Sequence, residues 1–305
     1  MEIGPPIVEE LGRIAPGRVW VDEPMSRHTS FGLGGPADLF LAPESAGAFK
    51  DAVAFLADEH VPLRFLGRGT NLLVRSGGLD GAVVGAERAF VQLSRQGDTV
   101  TVGSGVDLAR LLSFCAEEGL GGIEGLAGIP GSAGGAVVTN AGSFGVSMGD
   151  RLLHVVLFEP GKQSVLLPAG EIEIRYRRAL IPAGSVIEEI GVSLEPRDPA
   201  EVAARQREVL ESKWRTQPVG MRSAGCVFKN PEGHAAGRLI DAAGLKGARV
   251  GGAVVSDLHA NYILNDRGAT PQDVEELIVL VRERVREHAG IELELEVEVA
   301  GRRGN

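Results

Sequence analysis

Between Gly121 and Gly145 the chain reads GGIEGLAGIPGSAGGAVVTNAGSFG, nine glycines in 25 residues. Glycine loses the most backbone freedom on folding, so a run this dense is a poor helix and a poor strand. What it permits is positive φ and the close approach of backbone to a flat or charged ligand, with no side chain between them. Pro130, Ser132, Thr139 and Asn140 punctuate the run. A second segment, LGRGTNLLVRSGG (residues 66–78), sets Gly67 and Gly69 around Arg68, followed by Thr70 and Asn71. Such a turn can aim several backbone amides into one concavity, which suits phosphate. It is not a Rossmann fingerprint, because the third glycine of G-x-G-x-x-G falls on Leu72 and no helical pattern follows. It is not a P-loop either, since no Gly-Lys-Ser/Thr follows. Either segment alone reads as a tight turn between strands. Two together point to a large extended ligand such as a dinucleotide.

A chain of 305 residues has room for two or three domains with real cores. Its net charge of −10 and pI near 5.2 argue against a nucleic-acid binder, which carries a basic face. The opening MEIGPPIVEELGRIAPGR has three acids and no long apolar run, unlike a signal peptide. No stretch is apolar over the length a bilayer requires, so no membrane association is expected. The expected compartment is the cytoplasm, where the two cysteines stay reduced. The six histidines show no paired metal spacing, and no metal is expected.

Residues 45–59 read as an amphipathic helix with a serine cap, between the apolar stretches DLFLAP and PLRFLG. From Leu63 to about Arg197, short β-rich runs (GAVVG, TVTVGSG, HVVLFEP, SVIEEIGVSLEP) alternate with glycine-rich turns. One helix, DLARLLSFCAEEG, interrupts them. A polar helix follows, DPAEVAARQREVLESKW. After it come helix GRLIDAAGL, strands GGAVVS and NYILN, and helix PQDVEELIVLVRERVREHA. The expected organisation is an N-terminal lobe (1–64), a second lobe (65–197) and a C-terminal α+β domain (198–289), with 290–305 returning to the core as a strand. The alternation in ELELEVEV places Glu292, Glu294, Glu296 and Glu298 on one face of that strand.

The glycine segments, together with HTSFGLGGPADLF, RYRRAL, SAGCVFKNP, AGRLIDAAGLKGARVGGAVVSDLHANYILN and the closing LELEVEVAG, carry a resemblance. The chain resembles the UDP-N-acetylenolpyruvylglucosamine reductases, in the version lacking an extra tyrosine-bearing loop. The first glycine motifs are shared with other flavoproteins of the vanillyl-alcohol-oxidase type; SAGCVFKNP is specific to the reductases. The resemblance implies an α+β chain: an FAD-binding fold of that type (also called PCMH-type) in two α/β lobes, plus a C-terminal substrate-binding domain. It implies noncovalent FAD, with Gly67, Arg68, Gly69, Thr70, Asn71 and Leu72 wrapping the pyrophosphate. Gly131, Ser132, Gly134, Gly135 and Asn140 line the flavin. Neither segment holds a histidine or cysteine for covalent attachment.

The implied activity is reduction of UDP-N-acetylglucosamine enolpyruvate to UDP-N-acetylmuramate for peptidoglycan synthesis, with NADPH as co-substrate and a monomer as the working form. A hydride passes from NADPH to FAD and then to the methylene carbon of the enolpyruvyl ether. The site therefore needs donors at the carboxylate and a proton source for the neighbouring carbon. By match, Tyr176 and Arg177 are the family's Tyr-Arg pair, with the arginine on the carboxylate. Glu296 is the glutamate of the terminal motif, and Cys226 delivers the proton. Asn230 and His259 face the sugar nucleotide. Lys213 and Arg215 lie where a diphosphate could be met. Glu298 stands where the family often has arginine.

Each of these residues also has an ordinary reading. Arg175 to Arg178 could be a solvated basic cluster, and the glutamate face a wet strand surface. His259 could cap backbone at a strand end. Cys226 could be a small packed residue, as Cys115 on an apolar helix face is expected to be. Two other functions are compatible with the cofactor motifs: a flavin oxidase acting on an alcohol, and a flavin or sugar-nucleotide binder without catalysis. SAGCVFKNP and the terminal glutamates favour the reductase.

Overall fold

The computed structural model describes residues 3–304. The chain packs as two units. The first comprises the chain up to Val21, Leu39–Arg68 and Gly81–Ser212; the second comprises Asp22–Asp38, Gly69–Asp80 and the chain from Lys213 on. Neither unit is one contiguous stretch. The reason is strand pairing between segments far apart in sequence.

In the first unit, Ser45 caps helix Ala46–Asp58 by accepting from the Ala48 amide at 3.2 Å. That helix buries Phe49, Ala52, Val53 and Leu56, its apolar face, against Leu39, Leu41 and Val84. Phe49 meets Phe90 edge to face at 5.0 Å. Strand Leu63–Leu66 pairs in parallel with Leu79–Gly85, in register Leu63↔Ala82. Strand Pro36–Leu41 precedes the helix and Leu63–Leu66 follows it, the strand, helix and strand expected around residues 45–59.

The rest of the first unit is built on a five-stranded antiparallel sheet. Its order is Val165–Pro168, Leu152–Phe158, Val186–Ser193, Thr99–Gly103, Leu93–Gln96. Helix Leu108–Glu117 and the short helix Ala133–Val138 bury Leu111, Leu112, Cys115, Ala133 and Val137 in a core with Val100, Ile190 and Val192. Cys115 is fully buried there, and burial, then the charge of Glu124, pushes its thiol up to about 12. It is the small core residue expected from sequence.

The second unit is held by helix Pro271–Ala289. Thr270 and Asp273 form a capping box at its start, and Gly290 ends it in the left-handed region. Val274, Leu277 and Val281 from this helix join Phe31, Leu73, Phe228 and Leu293 in one core. Beside it lie helix Ala236–Ala242 and a three-stranded antiparallel sheet, Arg249–Val250, Ala253–Val255, Ile263–Asn265.

The alternating acidic run departs from expectation. It is not one strand: only Glu298–Ala300 is, and it pairs in parallel with Leu72–Val74. Upstream, the run pairs with the stretch after Cys226 instead. Lys229 donates its amide to Glu294 O at 2.9 Å, Glu296 donates to Val227 O at 2.8 Å, and Leu295 bridges Phe228. Val297 marks the bend where the chain changes partner. The alternation of exposure survives this switch: Glu292, Glu294 and Glu298 are exposed, and Glu296 is half-buried.

Candidate active site

In the first unit, the two glycine segments meet through a short polar chain. Arg68 pairs with Asp107 at 2.7 Å. Asp107 caps helix Leu108–Glu117 through the Ala109 amide at 2.7 Å and bridges Ser132. Ser132 caps helix Ala133–Val138 by accepting from the Gly135 amide at 3.3 Å. A Cβ at Gly67 would stand 2.7 Å from Ser132 Oγ, so glycine is what lets the turn close on the second segment. Gly131 O accepts from Leu108, and the Ala133 and Gly134 amides donate to Val106 O and Ser104 O. The long glycine run is thus stitched along the end of the five-stranded sheet.

Asn140 and Arg177, assigned separately from sequence, come together in this unit. Ile174–Arg175 and Arg178–Ala179 form a hairpin whose two-residue turn is Tyr176-Arg177. Arg177 has φ +58, a costly conformation for a residue with a side chain. The buried Asn140 steadies the hairpin: its Nδ2 donates to Arg175 O at 3.0 Å and its Oδ1 accepts from the Gly149 amide at 2.9 Å. Arg177 donates to Gly142 O at 2.8 Å, and its guanidinium lies 5.1 Å from the centre of the Tyr176 ring, which is half exposed. Strain at a tight turn, braced from behind, is what a functional arginine held in one position would show.

In the second unit, the other half of the phosphate-type turn serves the terminal strand. Gly69 O accepts from the Ser30 amide, and Asn71 donates its Nδ2 to Glu296 O at 3.1 Å. Asn71 O accepts from the Glu298 amide, and Leu72 pairs with Glu298. Asn71 therefore fixes the backbone at Glu296.

Cys226 is half-buried and forms an antiparallel bridge with Tyr262. Asn261, fully buried, clamps the adjoining Phe228: its Nδ2 donates to Phe228 O at 2.8 Å and its Oδ1 accepts from the Phe228 amide at 3.0 Å. Its own carbonyl accepts from the Val227 amide at 2.8 Å. The Tyr262 hydroxyl donates to Gln217 Oε1 at 3.1 Å. Burial, then the nearby Cys226 thiol and Glu296, pushes the Tyr262 phenol above its ordinary range. Tyr262 is therefore close enough to both Cys226 and Glu296 to be influenced by each. Sequence reasoning missed Asn261, Tyr262 and Gln217; the polar residues inside NYILN were the available signal.

The remaining assigned residues have mixed placements. Asn230 accepts the Ala236 amide on its Oδ1 at 2.9 Å, at the start of helix Ala236–Ala242. His259 packs edge-on against Tyr262 at 5.1 Å, and its Nδ1 faces the Asn261 amide at 3.3 Å. This is the backbone-capping role weighed for it. Burial, with the charge of Lys246, lowers its pKa. Lys213 is buried, while Arg215 is exposed. Among the described residues no three His, Cys, Asp or Glu side chains converge as a metal site, and no helix is long and apolar enough to cross a membrane.

The sequence from Alkalilimnicola ehrlichii named UDP-N-acetylenolpyruvoylglucosamine reductase is 43% identical over 293 residues, 95% of this chain and 97% of its own. The chain belongs to this reductase family. A reductase of the same name from Alkaliphilus oremlandii is 39% identical over 93% of both chains. The crystal structure of the Thermus caldophilus reductase superposes with a TM-score of 0.79 at 37% identity, covering 92% of this chain and 97% of that one. Two family profiles divide the reductase chain: "FAD binding domain" matches residues 37–162, and "UDP-N-acetylenolpyruvoylglucosamine reductase, C-terminal domain" matches residues 217–300. Both glycine segments fall in the first, and Cys226, Asn230, His259 and Glu296 in the second. Tyr176 and Arg177 lie between the two. The α+β FAD-binding fold with a C-terminal domain is the one the sequence led us to expect.

Residues of the first unit suit FAD. The amides of Gly67 and Arg68 donate to no backbone carbonyl among the described residues, which matches a turn that receives phosphate oxygens. Ser104 Oγ, beneath Gly134, is buried with no hydrogen-bond partner among the described residues. A buried orphan hydroxyl of this kind calls for a polar group from outside the chain.

Proposed function

We propose that this chain reduces UDP-N-acetylglucosamine enolpyruvate to UDP-N-acetylmuramate with NADPH, in the cytoplasmic synthesis of peptidoglycan precursor. The observation that carries the reading is the grouping of Cys226 with Tyr262 and the backbone-tethered Glu296. A thiol and a carboxylate on adjoining backbone segments suit the second half of the reaction, which needs a proton source and charge control. In this reading residues 1–64 and 65–197 hold FAD, 198–289 receive the sugar nucleotide, and the protein works as a monomer.

Gly67 to Leu72 receive the pyrophosphate, and Gly131, Ser132, Gly134, Gly135 and Asn140 border the flavin. FAD, when bound, supplies the hydride that reaches the methylene carbon of the enolpyruvyl group. The protein's own residues manage the charge and the proton. Arg177, fixed by Gly142 O and the Tyr176 ring, holds the carboxylate on which charge accumulates. Cys226 gives its thiol proton to the carbon beside that carboxylate. Glu296, held between Asn71 and Val227, orients the reacting group. Asn230, whose Oδ1 is engaged by Ala236, donates to the sugar nucleotide through its NH2. His259 accepts on Nδ1, so its Nε2 carries the proton and donates to the same ligand.

A spectrum of the purified protein tests this reading. It should be yellow, and denaturation should release FAD. Anaerobic NADPH should bleach it, and the enolpyruvyl UDP-sugar should restore the colour without oxygen. A protein that takes up no FAD, or that regains colour only with oxygen, contradicts the reading; the oxygen result would indicate an oxidase.

A further inference from the structure

Cys226 and Tyr262 face each other across an antiparallel bridge, which sets their side chains next to one another on one face. The Tyr262 hydroxyl donates to Gln217 Oε1 at 3.1 Å, and the Cys226 thiol lies near enough to raise the phenol's pKa by its charge and by hydrogen bonding. The His259 ring packs T-shaped against the phenol, and Asn261, next to Tyr262, holds both backbone groups of Phe228, two residues beyond Cys226. Burial, with Cys226 and Glu296 nearby, pushes the pKa of this phenol up and so favours its neutral form. A neutral hydroxyl can accept from a thiol in one state and donate to a thiolate in the next.

We propose that Tyr262 is the positioning residue of Cys226: its hydroxyl accepts the S–H of the resting thiol, then turns to donate to the thiolate left by proton transfer. The proposal rests on the reading of Cys226 as proton donor. In that step the S–H bond breaks, and the electron pair on the carbon beside the carboxylate forms the new C–H bond. Sulfur keeps its own pair as thiolate, which solvent reprotonates before the next turnover. A thiolate in a half-buried place is costly without a donor. Tyr262 supplies that donor. Gln217 serves both states, because its carbonyl accepts the phenolic proton and its NH2 can donate to the phenolic oxygen after a flip.

The test is the pH dependence of iodoacetamide alkylation of Cys226 in the FAD-loaded protein without substrate. Cys115 stays silent, being fully buried with its thiol pushed up to about 12. Tyr262→Phe keeps the ring and removes the hydroxyl. Loss of a hydrogen bond to a charged group should raise the Cys226 titration midpoint by about 1–2 pH units. An unchanged midpoint in a variant that melts like the parent overturns the proposal. A second arm needs no such variant at 262. The chain has two tyrosines, so fluorotyrosine incorporated in a Tyr176→Phe background labels Tyr262 alone. A more acidic phenol is a stronger donor, and the midpoint should fall; a midpoint that holds or rises overturns the proposal. Stopped flow separates the two readings. Tyr262→Phe should be reduced by NADPH at the parental rate and reoxidised by the enolpyruvyl substrate about tenfold more slowly, as loss of one hydrogen bond to a charged group implies. If the midpoint moves while reoxidation keeps its speed, the tyrosine governs the thiol and the proton-donor role of Cys226 falls.

Discussion

A Cβ atom at Gly69 would stand 2.0 Å from the carbonyl oxygen of His28. The obstacle is backbone, which cannot swing aside as a side chain would. Gly69 also has φ +59, in the region that side chains resist. The glycine of the turn is therefore required first by the chain's own packing, before any ligand arrives.

Gly69→Ala should accordingly destabilise the protein by about 2–4 kcal/mol, the sum of a strained φ and a forced backbone shift. Gly69→Val should cost more and prevent FAD uptake. Denaturant unfolding with flavin content measured in parallel checks both. A Gly69→Ala protein with parental stability would show that His28 moves freely.

Arg177 at φ +58 separates stability from activity. Arg177→Ala and Arg177→Gly both remove the guanidinium, so both should be reduced by NADPH normally and reoxidised slowly by the enolpyruvyl substrate. They should differ in stability, with glycine favoured by about 1 kcal/mol, because only alanine keeps the strained φ. Equal damage to both half-reactions would assign Arg177 a structural role.

The acids of the terminal run should divide the same way. Glu292 and Glu294 are exposed and make surface pairs with Arg282 and Lys229, at 3.2 and 3.4 Å. Neutral substitution at either should change stability by less than about 0.5 kcal/mol and leave turnover intact. Glu296→Gln should slow reoxidation by substrate while flavin reduction by NADPH is unaffected. Half-reaction rates for all three variants check the division.

His259 gives stability a pH dependence of known sign. Burial lowers its pKa in the folded protein, while the unfolded chain takes up a proton near the ordinary value of about 6.5. Between those values the unfolded state binds more protons, so stability falls as pH falls through that window. His259→Gln should remove this component, and the stability gap between parent and variant should shift toward the variant from pH 7.5 to about pH 5. Melting curves across that range check it; a constant gap contradicts it.

Local features were legible in the sequence where one segment decides its own conformation. The Ser45 cap, the helix from Pro271 and the packed Cys115 needed only nearby residues. The alternation in ELELEVEV put all four acids on one face without separating the half-buried Glu296 from the exposed three, and it did not show that the run changes partner at Val297, since alternation does not name the neighbouring strand. The tie between Asn71 and Glu296 spans 225 positions, and no local pattern encodes it. Tyr262 escaped notice for the same reason: its meaning comes from Cys226, which reaches it only through the fold. The motifs assigned candidate site residues through family resemblance, while the bracing by Asn140, Asn261 and Gln217 became visible only in three dimensions.

The most direct test of the account is stopped flow on the parent, Cys226→Ser and Cys226→Ala at matched flavin content. All three should bleach with NADPH at similar rates. The serine variant should be reoxidised by the enolpyruvyl UDP-sugar, because a hydroxyl can lend the same proton from the same place. The alanine variant should be reoxidised more slowly by on the order of 10²–10⁴, the usual cost of losing a positioned acid. An alanine variant reoxidised as fast as the parent would contradict the account, leaving Cys226 a packed small residue and the proton to come from elsewhere.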